Sequence, residues 1–324
     1  MRSAGAGVLL TALLGGASGT AWGQRGVAIG EGALFLVLPL GARAIATGQS
    51  VASPEPGTEQ LYWNSAGIAR ATRREVAFNS GSFYVGPMFS LAALFPLGTA
   101  GVVGASASVL DYGSEASNDP TSQTGVFSQQ AYVFQAVYAA TFGSHLNAGV
   151  ALENALFVAS CSGFCGVLTS FHVSSSAVNA GVQYRLLRDG DLVLAASLRH
   201  AGSRFQVNDE PQADPLPTRL QIGASYRIRK FEEDLRGAQL RVSADVIDRA
   251  RHPGDAAPRF GADLSWHDEV RVGAGYVSGS GEGTGAAVGI GFSPGHASVG
   301  VSQTIGGTGD ANRSATYVSL RYRW

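Results

Sequence analysis

Thr316 to Trp324, TYVSLRYRW, alternates from end to end. In an extended strand Thr316, Val318, Leu320, Tyr322 and Trp324 share one face, and Tyr317, Ser319, Arg321 and Arg323 share the other. One face suits lipid and the other suits water. A soluble sandwich strand alternates in the same way, but a Tyr-x-Trp ending puts two amphipathic rings where a membrane interface would hold them. Segments of this kind recur backward through most of the chain. They predict an all-β protein, a transmembrane antiparallel β-barrel.

The bulk composition agrees. The 324 residues include 44 Gly, only 15% are charged, and the formal net charge is −1. That excludes a disordered tail and gives no electrostatic case for nucleic acid. Mean hydropathy is +0.10, the value expected when each lipid-facing residue is followed by a small or polar lumen-facing one. The longest internal apolar run, Ala33 to Leu38, stops at Pro39, too short for a spanning helix.

Residues 1–23 read as a secretory signal peptide. Arg2 supplies the positive region, Val8 to Leu14 the apolar core, and Ala21-Trp22-Gly23 the cleavage site. No cysteine follows it closely, so no lipid anchor is expected. Residues 24–74 behave differently from the rest of the chain: an apolar patch, a Pro-rich turn at Ser53 to Gln60, then LYWNSAGIARA with helical character from Asn64 onward. This is the expected hatch or plug, because a large barrel otherwise leaves an open lumen. Residues 75–324 then form the barrel.

Within that N-terminal region, LPLGARAIATGQSVAS followed by LYWNSAGIA resembles the N-terminal signature of the FadL-like outer-membrane proteins, especially the PorV/PorQ branch. Gly41, Ala42, Arg43, Ala44, Gly48, Tyr62, Trp63, Asn64, Ala66 and Gly67 carry the match, and Ser65 stands where the family usually has Pro. The resemblance implies a barrel of fourteen strands with an N-terminal hatch in the lumen. It also implies either transport of hydrophobic molecules such as long-chain fatty acids, or a PorV-like role with secreted proteins in type IX secretion. The partners implied are outer-membrane lipid and either a hydrophobic small molecule or a secretion-system protein.

From Glu75 on, alternation and turn residues mark about fourteen strands, from Glu75–Tyr84 to Ala315–Trp324. They include Ala100–Asp111, Gln129–Phe142, His145–Val158 and Ser175–Leu187; Gly143-Ser144 reads as a tight link, and Tyr112 to Ser128, Ala159 to Ser174 and Gln206 to Pro217 as long outer loops. The even count places both chain ends on one side, expected to be periplasmic in an outer membrane. Alternation assigns Tyr138, Leu194, Ile222, Val246, Phe260 and Ile290 to lipid, and Gln135, Glu153, Arg199, Gln221, Asp245 and Asp263 to the lumen. Gly149, Gly181, Gly223, Gly261, Gly273, Gly275 and Gly289 also point inward and leave room for a plug.

Arg185, Arg227, Arg241, Arg271 and Arg321, with Arg323, fall at predicted periplasmic strand ends. They form a basic ring with three readings: pairing with hatch carboxylates, guidance of an anionic ligand, or rim charge with snorkelling stems. Asp245 and Asp263, on neighbouring strands, raise the weak idea of a carboxylate dyad. Cys161 and Cys165, in an outer loop of an exported protein, read as a disulfide. Leu34, Phe35, Leu36, Leu38 and Leu40 of the hatch, with Phe127, Phe157, Phe164 and Phe171 of the loops, offer either a path for a hydrophobic ligand or plain packing. The six histidines form no readable Ser-His-acid grouping, so no enzyme, cofactor or metal site is expected.

Overall fold

The computed structural model describes residues 30–53, 55–118, 124–166, 169–187, 191–206, 213–229, 237–267, 269–279, 284–305 and 314–324. The expected signal peptide lies outside the described residues.

Fourteen antiparallel strands close a barrel. In chain order they are β1 (Glu75–Phe83), β2 (Gly86–Pro96), β3 (Val102–Asn118), β4 (Thr124–Phe142), β5 (Leu146–Gly163), β6 (Phe171–Leu186) and β7 (Leu192–Gly202), then β10 (Arg219–Arg227), β11 (Ala238–Arg249), β12 (Ala257–Trp266), β13 (Val270–Val277), β14 (Gly285–Phe292), β15 (Ala297–Ile305) and β16 (Thr316–Arg323). β8 (Phe205–Gln206) and β9 (Ala213–Asp214) pair with each other as a separate two-stranded ribbon, where the alternation predicts a strand ending at Phe205 and then a long loop from Gln206 to Pro217. Closure runs through β1 and β16, from Glu75 opposite Arg323 to Gly81 opposite Tyr317. Reciprocal 3.1 Å bonds between the backbones of Arg74 and Trp324 extend it. Joining first and last strands removes the unpaired edges that lipid would not tolerate.

The closing stretch faces as its alternation requires. Leu320, Tyr322 and Trp324 are exposed on the outside, while Tyr317 and Ser319 are buried inside. Around the wall Tyr138, Leu194, Ile222, Val246, Phe260 and Ile290 are all exposed. So continuous an apolar exterior belongs in a bilayer.

Strand length separates two parts of the wall. A nine-residue strand such as β1, tilted by about 40°, rises about 23 Å, the height of a membrane-spanning apolar band. Strands β3 to β6 have 16 to 19 residues and run well beyond that height, where long loops were expected. We call this end distal, and the end carrying Glu75 and Arg323 proximal. Near the distal tip Cys161 and Cys165 are bonded. Phe127, Ala159 and Cys165 form a small cluster there, with Phe157 and Phe171 against it.

Residues 31–53 and 55–71 occupy the interior. Leu34–Val37 is a 3-10 turn, α1 spans Ala42–Ala46, α2 spans Gln60–Trp63, and Ser65–Ile68 is a second 3-10 turn. The helical character expected from Asn64 onward therefore starts four residues earlier. Asn64 itself is extended, and its side-chain oxygen caps the following turn by accepting from the Ala66 amide at 3.1 Å. That is the Asx habit of competing with helix continuation.

Candidate functional site: the lumen and its N-terminal segment

Contact between segment and wall is close because the wall lacks side chains where they meet. A Cβ at Gly261 would lie 2.0 Å from the Thr47 carbonyl oxygen, and one at Gly275 would lie 2.3 Å from the Gly48 nitrogen. Similar overlaps arise at Gly149 with Ser65, at Gly181 with Asn64, and at Gly273 and Gly289 with Ala46. The inward glycines seat the segment, except Gly223, whose neighbour is Asp245 on the next strand.

The residues that match the family signature make this seat. Gly41 and Gly48 have φ of 92° and 71°, backbone that side chains disfavour. A Cβ at Gly48 would also strike the Phe260 carbonyl oxygen at 2.1 Å. Trp63 Nε1 donates to the Leu40 carbonyl at 3.0 Å, Asn64 Nδ2 donates to the Val51 carbonyl at 3.0 Å, and Tyr62 hydrogen-bonds Ser90 on β2. Ala42, Ala44 and Ala66 are buried, and Gly67 lies against the Gln60 side chain.

Charge fastens the seat. Arg43 of α1 donates to Glu55 at 2.5 Å and to Asp263 of β12 at 2.7 Å. Arg271 of β13 donates to Asp263 at 3.2 Å and to Glu55 at 2.9 Å. Four alternating charges close a ring, two from the segment and two from the wall. Burial opposes ionisation of Glu55, but Arg43 and Arg271 outweigh it and hold its carboxyl well below the ordinary carboxylate range. Burial likewise opposes charge on Arg43, while Glu55 and Asp263 raise its guanidinium above its usual value.

A carboxyl depressed in the folded state contributes stability above its unfolded pKa, about 4.3, and loses it as pH falls through the folded value. We expect acrylamide quenching of Trp63 to stay constant from pH 8 to 5 and to rise only below about pH 4. A rise between pH 7 and 5 would contradict the ring. The Glu55 side chain keeps 41% of its exposure, so the change is a loosening of α1.

Asp245 makes a second fastening. It accepts from Ser50 Oγ at 2.6 Å, the Val51 amide at 2.9 Å and Gln221 Nε2 at 3.1 Å. Asp245 and Asp263 thus hold different parts of the segment. In register Asp245 faces Arg259 and Asp263 faces Arg241, four residues apart along β11, so the carboxylate dyad is not formed.

The distal half of the interior is apolar. Phe35, Leu36 and Leu40 are buried with Phe83, Met88, Leu110, Val133, Leu216 and Tyr317, and Leu38 packs against them half-buried. Phe157 joins this cluster to the disulfide-bearing tip, stacking edge-on with Tyr112 at 5.9 Å and tilted against Phe171 at 6.0 Å. Leu34 and Phe164 are not gathered with the others; they stay 56% and 39% exposed.

No protein-family model and no curated protein matches the chain. Solved structures do. The toluene transporter TodX of Pseudomonas putida superposes with a TM-score of 0.55 at 13% identity, over 87% of this chain and 97% of that one. A Pseudomonas aeruginosa FadL homologue gives 0.53 at 9%, over 87% and 97%. The monoaromatic hydrocarbon channel CymD gives 0.51 at 8%, over 91% and 98%. This chain has a FadL-like fold.

At the proximal mouth of this FadL-like barrel, the arginine ring is partly neutralised. Arg271 belongs to the four-charge ring. Arg227 donates to Asp191 at 2.8 Å, and Arg229 also pairs with it. Arg241 finds neutral acceptors, the Asp191 carbonyl and Ser225 Oγ, both at 3.2 Å. Arg185 stands within Coulomb range of Arg70 and Arg227, and Arg321 within range of Glu59 and Glu75. Arg323 donates to Glu75 at 2.5 Å.

Sequence reading missed Glu55 and Asp191, which sit in turns with no periodicity to mark them. It also missed His200, one of the six histidines in which the sequence shows no grouping. His200 is buried, and its Nδ1 lies 2.7 Å from Glu153. Asn179 is passed over where Val178 faces Ala201 and Ala180 faces Leu198, so Arg199 and His200 together oppose one residue. This bulge, with His200 at φ 59°, turns two consecutive side chains inward.

Proposed function

We propose that the protein is an outer-membrane channel that passes hydrophobic small molecules, long-chain fatty acids among them, with residues 24–74 as its hatch and the proximal end in the periplasm. The observation that carries this reading is the division of the lumen. The distal face of the hatch is apolar, through Phe35, Leu36 and Leu40, and meets an apolar wall. Its proximal face is fastened by charge. A water-filled porin has no use for an apolar vestibule; an apolar cargo does.

Two further features support it. The FadL-like structures it superposes on include a toluene transporter and a monoaromatic hydrocarbon channel. On the lipid face, a concavity of about 580 Å³ is floored by Ala196, Ala224 and Ala244 and bordered by Tyr184, Ile222 and Phe260. It offers apolar cargo a resting place on the outer wall.

Solvent extraction of the purified protein followed by mass spectrometry tests this reading. We expect apolar small molecules, fatty acids first, in molar amounts comparable with the protein. A replacement of Leu36 by Asp should lower their recovery at least tenfold. Recovery no greater than from an unrelated barrel purified in parallel would refute the reading.

A further inference from the structure

Two arginines in the wall, Arg199 buried and Arg259 partly buried, keep guanidinium donors unpaired, with the opposite charges of Glu153 and Asp245 respectively only within Coulomb range. Arg199, only 8% exposed, donates from one terminal nitrogen to the Tyr62 carbonyl at 3.3 Å, and its guanidinium lies 5.0 Å from the centre of the Trp63 ring. Arg259 donates to Gln221 Oε1 at 3.4 Å. In both, the buried Nε has no hydrogen-bond partner among the described residues, and neither forms an ion pair there.

Among the described residues three carboxylates stand on this side of the lumen, and each is already engaged by other donors. Glu31 takes both terminal nitrogens of Arg219, at 2.8 and 2.6 Å. Glu153 accepts from Gln135 at 2.6 Å, Asn179 at 3.0 Å and His200 at 2.7 Å. Asp245 is held by Ser50, Val51 and Gln221. Meanwhile Arg219 faces Arg199 directly in the β7–β10 register, and Arg259 stands within Coulomb range of both.

Like charges gathered in a low dielectric, with donors left unsatisfied, are costly unless an anion joins them. A guanidinium offers a planar fork that matches an oxyanion, and its Nε is one prong of it. We propose that the lumen binds one oxyanion, a carboxylate or phosphate group, between Arg199 and Arg259, at the seam between Tyr62-Trp63 and the wall. The anion arrives either free or as the head group of an amphiphile; only the second source rests on the transport reading above.

Calorimetry on the full chain in nanodiscs tests the site, with sodium acetate, inorganic phosphate, sodium octanoate and 1-octanol as probes. At least one anion should bind, and Arg199→Gln and Arg259→Gln should each weaken it tenfold or more while leaving 1-octanol unaffected. Octanoate binding at least tenfold tighter than acetate and phosphate identifies a head group. Equal affinities identify a free oxyanion, and both results support the site. Heat-modifiable gel mobility confirms that the variants fold. Should a glutamine variant fail to fold, Arg259→Lys, which keeps the charge and loses the fork, should bind the anion several-fold more weakly than the native chain.

Absence of anion binding, or binding unchanged in both variants, overturns the inference. If those variants still yield extracted apolar molecules, the transport reading survives its loss.

Discussion

Replacing Gly261 and Gly275 with valine is expected to empty the lumen without dismantling the barrel. The two glycines are cross-strand neighbours on β12 and β13, and the Cβ atoms they lack would lie 2.0 and 2.3 Å from backbone atoms of Thr47 and Gly48. Backbone cannot swing aside as a side chain can, so each valine costs the seated hatch about 1–3 kcal/mol or more. The strands themselves lose nothing, because valine suits a pleated strand better than glycine does. A barrel of this size without its plug is a channel. Single-channel conductance in planar bilayers should therefore rise at least tenfold over the native protein. Gly291→Val is the control: its nearest neighbours would be 3.6 Å away, and it should stay as closed as the native chain. Equal, low conductance in all three proteins would mean the hatch is not seated against β12 and β13.

Arg43→Ala should free α1 while sparing the wall. It takes the cation from between Glu55 and Asp263, and leaves the Asp263 carboxylate, 11% exposed, with Arg271 alone. Breaking a buried charged contact on one side costs about 3–5 kcal/mol; the half-open setting of Glu55 brings the expectation here to about 3. Hydrogen exchange at the amides of residues 42–48 should then speed up about a hundredfold, the equivalent of that energy. Strand amides of β4 and β5, far from the ring, should keep their protection. Arg43→Lys retains charge without the fork and should fall between. Unchanged exchange at α1 would show that the four-charge ring does not hold it.

The barrel was legible because its physics has a period of two, and that period survives in the residues themselves. Tyr322 and Trp324 outside, Tyr317 and Ser319 inside, follow directly from position. So do the inward glycines, whose purpose only the packed hatch reveals. Strands β3 to β6 were read short because their distal halves, such as Tyr112 to Asn118, are rich in Gly, Ser and Asn, which locally favour turns; pairing with a partner strand overrode that preference.

What stayed hidden depends on juxtaposition. Glu55 lies in a Pro-rich turn and meets Arg271 only because the fold brings them together. Arg199 and His200 both face inward only because of a bulge whose left-handed residue is a histidine. Gly41, Gly48, Trp63 and Asn64, which carry the resemblance, pack the N-terminal segment within itself and against the wall. Their resemblance to a family therefore speaks to the fold and says little about the cargo.

Locking the hatch tests the central claim most directly. A Cβ at Gly300 of β15 would lie 3.5 Å from the Cβ of Ala42, within the range a disulfide spans. Cells with Ala42→Cys/Gly300→Cys in their outer membrane can be assayed for uptake of a radiolabelled long-chain fatty acid before and after mild reduction, with the native chain treated identically. If cargo passes through a lumen whose plug must shift, oxidised cells should take up at least tenfold less than native ones, and reduction should restore the native rate. Uptake by the oxidised lock at the native rate would contradict the account.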